Sequence, residues 1–209
     1  MGLSLRIGIY GTYWGNDYYS SDYLTQTQME INSTYIYGAL NREHWTLNAI
    51  SGMLGNMQAE SSINPGRWEG NAVGVGPGYG LVQWTPYTNY TNWATGQGLD
   101  PSAMDSNLAR ILYEVQNNLQ WIPTTVYNFS FADFTVSTQT PEYLASAFLK
   151  NYERAGVEVE SQRQANARAW YTYLGGITPP TPTPTQTEEH RFKWVLYARK
   201  LREKPFNLY

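Results

Sequence analysis

The sequence predicts an α+β fold that is mainly α. Five segments carry apolar residues at three- and four-residue spacing, several behind helix-capping residues. The β signals are short runs, at the N-terminus and beside one Gly-rich stretch. With 209 residues the chain is long enough for one compact domain with appendages.

Residues 1–22 read as an N-terminal arm rich in Tyr, Gly and Ser, where the alternation of Leu5, Ile7 and Ile9 predicts a short strand or an extended segment. The main body is expected over 23–176. Thr25 with Gln28 forms a capping box, and Met29, Ile31, Tyr35, Ile36 and Leu40 follow on a helix to about Leu40. Thr46 caps a second helix, in which Leu47, Ile50, Met53, Leu54 and Met57 form one stripe and which ends near Glu60, before Asn64-Pro65-Gly66. From Pro65 to Gly80 six glycines and Pro77 predict irregular chain or short hairpin strands, and Leu81-Val82-Gln83-Trp84 reads as a short strand stopped by Pro86. A third helix is expected over about Asp105 to Trp121, with Leu108, Ile111, Leu112, Val115 and Leu119 on its face. Thr140-Pro141 starts a fourth, running through Leu144 and Phe148 to Tyr152, with Gly156 as its terminator. The fifth spans about Glu158 to Leu174 and closes at Gly175-Gly176.

Residues 177–187, ITPPTPTPTQT, form a semi-rigid linker. Residues 188–209 form a basic, aromatic tail with six Lys/Arg against three Glu. The net charge of −3 therefore combines a tail at +3 with a remainder at −6.

Composition narrows the function. Charged residues make up 15% of the chain, below the usual ~25%, while aromatics also reach 15%, with 18 Tyr and 8 Trp. Such a surface suits uncharged, hydroxyl-rich ligands whose flat faces stack on rings. Nucleic acid is disfavoured as principal ligand, because phosphate binding needs basic charge. The chain has no Cys and only His44 and His190. Disulfides, thiol catalysis, Cys-rich metal sites and His-based triads are thus set aside, and neither metal nor cofactor is expected. No run approaches the ~20 apolar residues of a membrane span, and the first residues lack the pattern of a secretory signal.

Glu60 is the first candidate for chemistry. On a helical wheel it lies about 60° from Met57, at the edge of the apolar stripe. Partial desolvation there favours the protonated carboxyl, which suits a general acid. A solvent-facing glutamate at a helix end is the plain alternative.

Three motifs stand in order: Gly52-Met53-Leu54-Gly55-Asn56-Met57-Gln58-Ala59-Glu60-Ser61, Gly78-Tyr79-Gly80-Leu81-Val82-Gln83-Trp84, and Tyr152-Glu153-Arg154-Ala155-Gly156. That order resembles the lysozyme superfamily of goose-type lysozymes and lytic transglycosylases, and most closely the phage tail lysozyme family, from about Tyr23 to Leu174. The resemblance implies a lysozyme-like fold with a small β-hairpin lining a sugar-binding cleft. It implies a glycosidase of the virion tail tip that cuts the MurNAc-β-1,4-GlcNAc bond of peptidoglycan glycan strands. Glu60 matches the catalytic acid and Ser61 the residue beside it, a structural or substrate hydrogen bonder. Gln83 matches a glutamine that contacts an N-acetyl group or orients water, and Tyr152 and Glu153 match the cleft floor. Tyr79 and Trp84 join Ser61, Gln83, Tyr152 and Glu153 as expected substrate-binding residues. Glu153-Arg154 stands where transglycosylases usually carry Asn, which weighs against the transglycosylase outcome.

Paired-carboxylate glycosidases need a second acid. Glu69 and Glu153 are the candidates, each with an alternative in ion pairing: Glu69 with Arg67, Glu153 with Arg154 or Arg67. The preferred scheme uses Glu60 alone, with water or the substrate's own groups meeting the oxocarbenium-like state. Trp68, Tyr79, Trp84, Tyr87, Tyr90 and Trp93 are each read either as sugar platforms or as core; Trp45 and Trp121 are read as core and His44 as a helix-junction residue. In the resembling proteins a zinc peptidase follows the linker; residues 188–209 carry no metal-ligand spacing, so no peptidase is expected. That tail is a candidate docking segment for other phage tail proteins or for an anionic wall or membrane surface, the alternative being a helix packed on its own acidic body.

Overall fold

The computed structural model describes residues 22–71, 76–154 and 159–177, together with the backbone of 4–6 and 17–19. The linker beyond Ile177, the tail, Gly156 and Glu158 lie outside the described residues, as do Ile7 and Ile9. In chain order the elements are β1 (Ser4–Arg6), β2 (Asp17–Tyr19), α1 (Gln26–Arg42), α2 (Leu47–Ser61), α3 (Thr88–Gly96), α4 (Met104–Gln116), α5 (Phe131–Thr135), α6 (Pro141–Phe148) and α7 (Glu160–Gly175). The architecture is mainly helical. β1 and β2 pair antiparallel, with Leu5 opposite Tyr18, and β2 runs beside α1.

Local chemistry starts the helices where the sequence says it should. The Thr25 hydroxyl accepts from the Gln28 amide at 3.4 Å, while the Gln28 side-chain oxygen accepts from the Thr25 amide at 2.8 Å. Thr46 caps α2 through the Ala49 amide at 3.1 Å, and Thr140 caps α6 ahead of Pro141. Every residue of α2 from Ala49 to Met57 is buried, the mark of a helix enclosed by others. α1, α6 and α7 pack around it.

Two glycines let those neighbours come close. A Cβ on Gly55 would stand 2.4 Å from the Arg163 carbonyl oxygen and 2.9 Å from the Ala167 Cβ; one on Gly52 would stand 2.8 Å from the Leu144 Cβ. The Gly55 obstacle is backbone, which cannot swing aside. Gly55→Ala is therefore expected to push α7 off α2 and to lower stability by about 1–3 kcal/mol. A urea midpoint equal to that of the wild type would show that the helices part without strain.

Three expectations need correction. Leu81-Val82-Gln83-Trp84 is not a strand. Gly80 and Gln83 both adopt positive φ, at 87° and 50°, and reverse the chain, so Tyr79 and Trp84 face each other through hydrogen bonds of 3.0 and 3.3 Å. Of irregular chain or short hairpin strands over 65–80, the described residues show irregular chain with two isolated bridges, Trp68 to Tyr79 and Tyr79 to Trp84. Leu81 and Val82 are buried at 0% and 3% exposure, and a short buried turn presents the same apolar run as a short buried strand. Second, α4 stops at Gln116 rather than Trp121, because Asn118 and Gln120 take positive φ. Third, α3 and the short α5 stand where no helix was expected, α3 burying Tyr90 and Ala94 and α5 burying Phe131 and Phe134.

Past α6 the chain widens into a π-helical segment, Leu149–Glu153, which carries Tyr152 into the aromatic core. Trp121 stacks on Phe131 at 4.9 Å and Phe148 on Tyr152 at 4.4 Å. Trp45, as expected, lies in the same core, edge-on to Phe131 and Phe134.

Candidate active site

The last turn of α2 delivers Glu60 and Ser61 in different directions, about 100° apart on the helix. Ser61 points inward and is fully buried. Its hydroxyl bridges the carbonyls of Leu81 and Met57 at 2.8 and 3.1 Å and accepts from the Asn64 amide at 3.3 Å. Of the two readings of Ser61, a structural or a substrate hydrogen bonder, these contacts fit the structural one: the side chain fastens the Gly80–Gln83 turn to the helix end. Glu60 points outward, with its side chain 20% exposed, and Oε1 accepts from Arg163 Nη2 at 2.6 Å. Oε2 takes no hydrogen bond from the described residues.

The turn is held from below as well. Asn107 is fully buried on α4; its Oδ1 accepts from the Leu81 amide at 3.0 Å and its Nδ2 donates to the Tyr90 hydroxyl at 2.9 Å. A Cβ on Gly80 would stand 2.6 Å from that Oδ1, so the position requires glycine for space as well as for φ. Gln83 donates through Nε2 to the carbonyls of Gly80 and Arg67 at 2.8 and 3.1 Å. Its Oε1 is buried with no hydrogen-bond partner, an open acceptor on a side chain otherwise committed to the turn.

Glu114, a residue the sequence analysis did not single out, joins the second and third motifs. It lies fully buried on α4. Oε1 accepts from Arg110 Nε at 2.7 Å and from Trp84 Nε1 at 3.0 Å, and Oε2 accepts from the Tyr152 hydroxyl at 2.5 Å. Burial pushes the Glu114 carboxyl up, against the pull of Arg110 and the three donors. Trp84 and Tyr152, expected to touch substrate, are instead 4% and 1% exposed and tied to this carboxylate.

Glu153 is the unusual group. Oε1 is buried without a partner, and the carboxyl makes no ion pair with the described residues; the Arg154 guanidinium is occupied by the carbonyls of Gln120 and Asn151, at 2.5 and 2.8 Å. Burial pushes this carboxyl well above the usual carboxylate range, Glu60 and Glu114 add to the rise, and Arg163 and Arg154 oppose it. Arg163 is itself 7% exposed. Its Nη1 donates to Asn56 Oδ1 at 3.2 Å, and its Nε is buried with no partner.

The rise at Glu153 has a consequence for folding. A carboxyl raised in the native state binds its proton there at pH values where the unfolded chain has released it, so stability falls as pH climbs above the ordinary glutamate value. The wild-type melting temperature is expected to decline from about pH 4.5 upward, and Glu153→Gln is expected to flatten that decline and melt higher than wild type at pH 7. Parallel pH–melting curves for the two proteins would refute the assignment.

Glu69 lies exposed and makes no ion pair with the described residues, Arg67 included. Arg67 is buried with its guanidinium 3.5 Å from the centroid of the Tyr23 ring. Among the flanking aromatics Tyr79, Trp84 and Tyr90 belong to the core. Trp68, Tyr87 and Trp93 are only partly buried, with Trp68 packed on Tyr79 at 4.4 Å and edge-on to Tyr87 at 5.1 Å. The described residues contain no group of His, Asp or Glu able to hold a metal ion.

A central helix ending in Glu-Ser, a Gln-bearing turn bound to that end and a Tyr-Glu pair behind them are brought together by the fold. Residues 31–174 match the family model described as phage tail lysozyme, and the chain belongs to that family. This defines the class, a lysozyme-like protein associated with phage tails. In particular, the chain is 47% identical over 160 residues to morphogenesis protein 1 of Bacillus phage B103, across 76% of this chain and 43% of that protein. It spans less than half the length of this relative.

Proposed function

We propose that the protein is a muramidase of the phage tail tip that opens the bacterial cell wall during infection by cleaving the MurNAc-β-1,4-GlcNAc bond, with Glu60 as general acid. The observation that carries this reading is the state of Glu60: a carboxylate at the end of the central helix, anchored through one oxygen by Arg163, partly exposed, with the other oxygen open. The open oxygen can deliver a proton to a glycosidic oxygen lying against the Gly80–Gln83 turn. Gln83 keeps an unpaired acceptor, the buried Oε1, which the N–H of an N-acetyl group reaches when the turn shifts to uncover it. Trp68 and Tyr87 offer partly exposed rings to sugar faces.

The second acid is accounted for by subtraction. Glu153 is half-buried with Oε1 enclosed, and burial pushes its carboxyl well above the usual carboxylate range, which disfavours it as a nucleophile; Glu69 is exposed. The oxocarbenium-like state is met by water without a fixed protein nucleophile. Residues 188–209 are proposed to dock on other tail proteins, on the strength of their +3 charge and aromatic content.

Digestion of purified peptidoglycan tests the reading. The wild type is expected to release muropeptides with new reducing ends, seen by product mass, and Glu60→Gln to release none. Products with 1,6-anhydro ends would replace the muramidase with a lytic transglycosylase. Glycan retention without cleavage would replace it with a wall-binding tail protein.

A further inference from the structure

The chain is strained directly after the last turn of α2. Ser62 and Ile63 both take positive φ, at 53° and 55°, a conformation that is a genuine outlier for a β-branched residue. Such a backbone persists only where its surroundings over-determine it. α1 supplies one restraint, Asn32 Nδ2 donating to the Ile63 carbonyl at 2.8 Å. Three consecutive residues ahead of α1 grip the same loop. The Leu24 amide donates to Ser62 Oγ at 2.8 Å, Asn64 Nδ2 donates to the Asp22 carbonyl at 2.8 Å, and the Arg67 guanidinium carbon stands 3.5 Å from the centroid of the Tyr23 ring. Leu24 and Arg67 are buried, at 5% and 2% exposure, whereas Tyr23 is 62% exposed. The ring is thus a cover laid over a buried cation, well inside cation–π range.

Arg67 is also where this loop meets the Gln83 turn. Its carbonyl accepts from the Gly80 amide at 2.9 Å and from Gln83 Nε2 at 3.1 Å, and the next residue, Trp68, packs its ring on Tyr79 beside the turn. We propose that residues 22–24 are a clasp that fixes this wall of the glycan site, with Tyr23 as a positioning residue acting through Arg67. This rests on the reading of that wall as sugar-binding. Tyr23 holds the Arg67 side chain, and the Arg67 main chain holds the turn. A movement of Gln83 that uncovers Oε1 then swings about a fixed carbonyl instead of carrying the whole loop away.

No described contact joins Tyr23 to Glu60 or to Arg163, which anchors Glu60 from α7. The clasp therefore acts on binding and not on proton transfer, and its loss is expected in KM rather than in kcat. A residue that served folding alone would behave the other way. Its loss would lower the folded fraction, hence the apparent kcat, and leave KM where it was.

The test is steady-state kinetics on soluble glycan oligomers, at a temperature below the melting transition of each protein. Tyr23→Ala is expected to raise KM about two- to tenfold, the range of one cation–π contact, with kcat within about twofold of wild type. Tyr23→Phe keeps the ring and is expected to restore the wild-type KM. An unchanged KM in Tyr23→Ala, or a raised KM that phenylalanine does not restore, overturns the proposal. Amide hydrogen exchange reads the same link without substrate. The Gly80 amide, bonded to the Arg67 carbonyl, is expected to exchange faster in Tyr23→Ala while the Ile50 amide in α2 keeps its wild-type rate. Gly80 exchange equal to that of wild type would also overturn the clasp. An active Glu60→Gln would bring down the muramidase reading and leave the exchange result standing; an inactive Glu60→Gln beside an unchanged KM in Tyr23→Ala would remove only the clasp.

Discussion

Glu60→Gln is expected to lower turnover on peptidoglycan by about 10²–10⁴-fold, the range lost when a general acid is removed, while the protein remains folded. The amide keeps the shape of the side chain and an oxygen that can still accept from Arg163 Nη2. Arg163 retains its bond to Asn56 Oδ1 at 3.2 Å, so the guanidinium stays where it is. What disappears is the transferable proton, together with the charge of a largely buried ion pair, 8% exposed on Arg163 and 20% on Glu60, so some stability is lost although the glutamine oxygen keeps an acceptor for Arg163. The expected pattern is a lowered melting temperature with a cooperative transition retained, and a cell-wall suspension that no longer clears. Binding to insoluble glycan should persist, because the Gly80–Gln83 turn and the rings of Trp68 and Tyr87 are untouched. Clearing at the wild-type rate would remove Glu60 from the chemistry.

The legible parts of this fold are those set by residues close in sequence. Thr25, Thr46 and Thr140 cap helices through amides three residues on, so a short window of sequence holds the whole interaction. The turn at 80–83 reads as a strand in the sequence because what bends it is remote: Ser61 takes the carbonyl and Asn107 the amide of Leu81, from two helices. Leu119 and Trp121 fit the periodicity of α4 yet lie beyond it, because the positive φ of Asn118 and Gln120 is not written in the apolar pattern. At the site, the order of three motifs marked Glu60, Gln83 and Glu153, but not what each does. Arg163 was missed although it shares a face with Ala167, Trp170 and Leu174, four, seven and eleven residues on; a cation inside a buried stripe implies a buried anion. Glu114 left a fainter mark, an Arg four residues before it among Ile111, Leu112 and Val115. Only tertiary packing shows that Trp84 and Tyr152, from motifs far apart in sequence, meet on that one carboxylate.

Glu114→Ala should be the most damaging of the substitutions outside the reacting groups. It leaves Arg110 Nε, Trp84 Nε1 and the Tyr152 hydroxyl without the acceptor all three now use, in a place with no exposure to water. Removing one partner of a buried charge pair costs about 3–5 kcal/mol, a large share of the 5–15 kcal/mol that holds an ordinary domain together. Glu114→Gln should cost less, since one oxygen can still accept from Trp84 or Tyr152 while the new NH₂ lies against the Arg110 cation. Urea denaturation separates the two: the alanine midpoint should fall well below the glutamine one, and an alanine midpoint equal to wild type would mean that the network contributes nothing. The effect on activity should also differ in kind from that of Glu60→Gln. Trp84 ends the turn that carries Gln83, and Tyr152 precedes Glu153, so loss of Glu114 loosens both walls around an intact acid. The variant should therefore retain measurable turnover at low temperature and lose it steeply on warming, whereas Glu60→Gln should be inactive at every temperature at which it is folded.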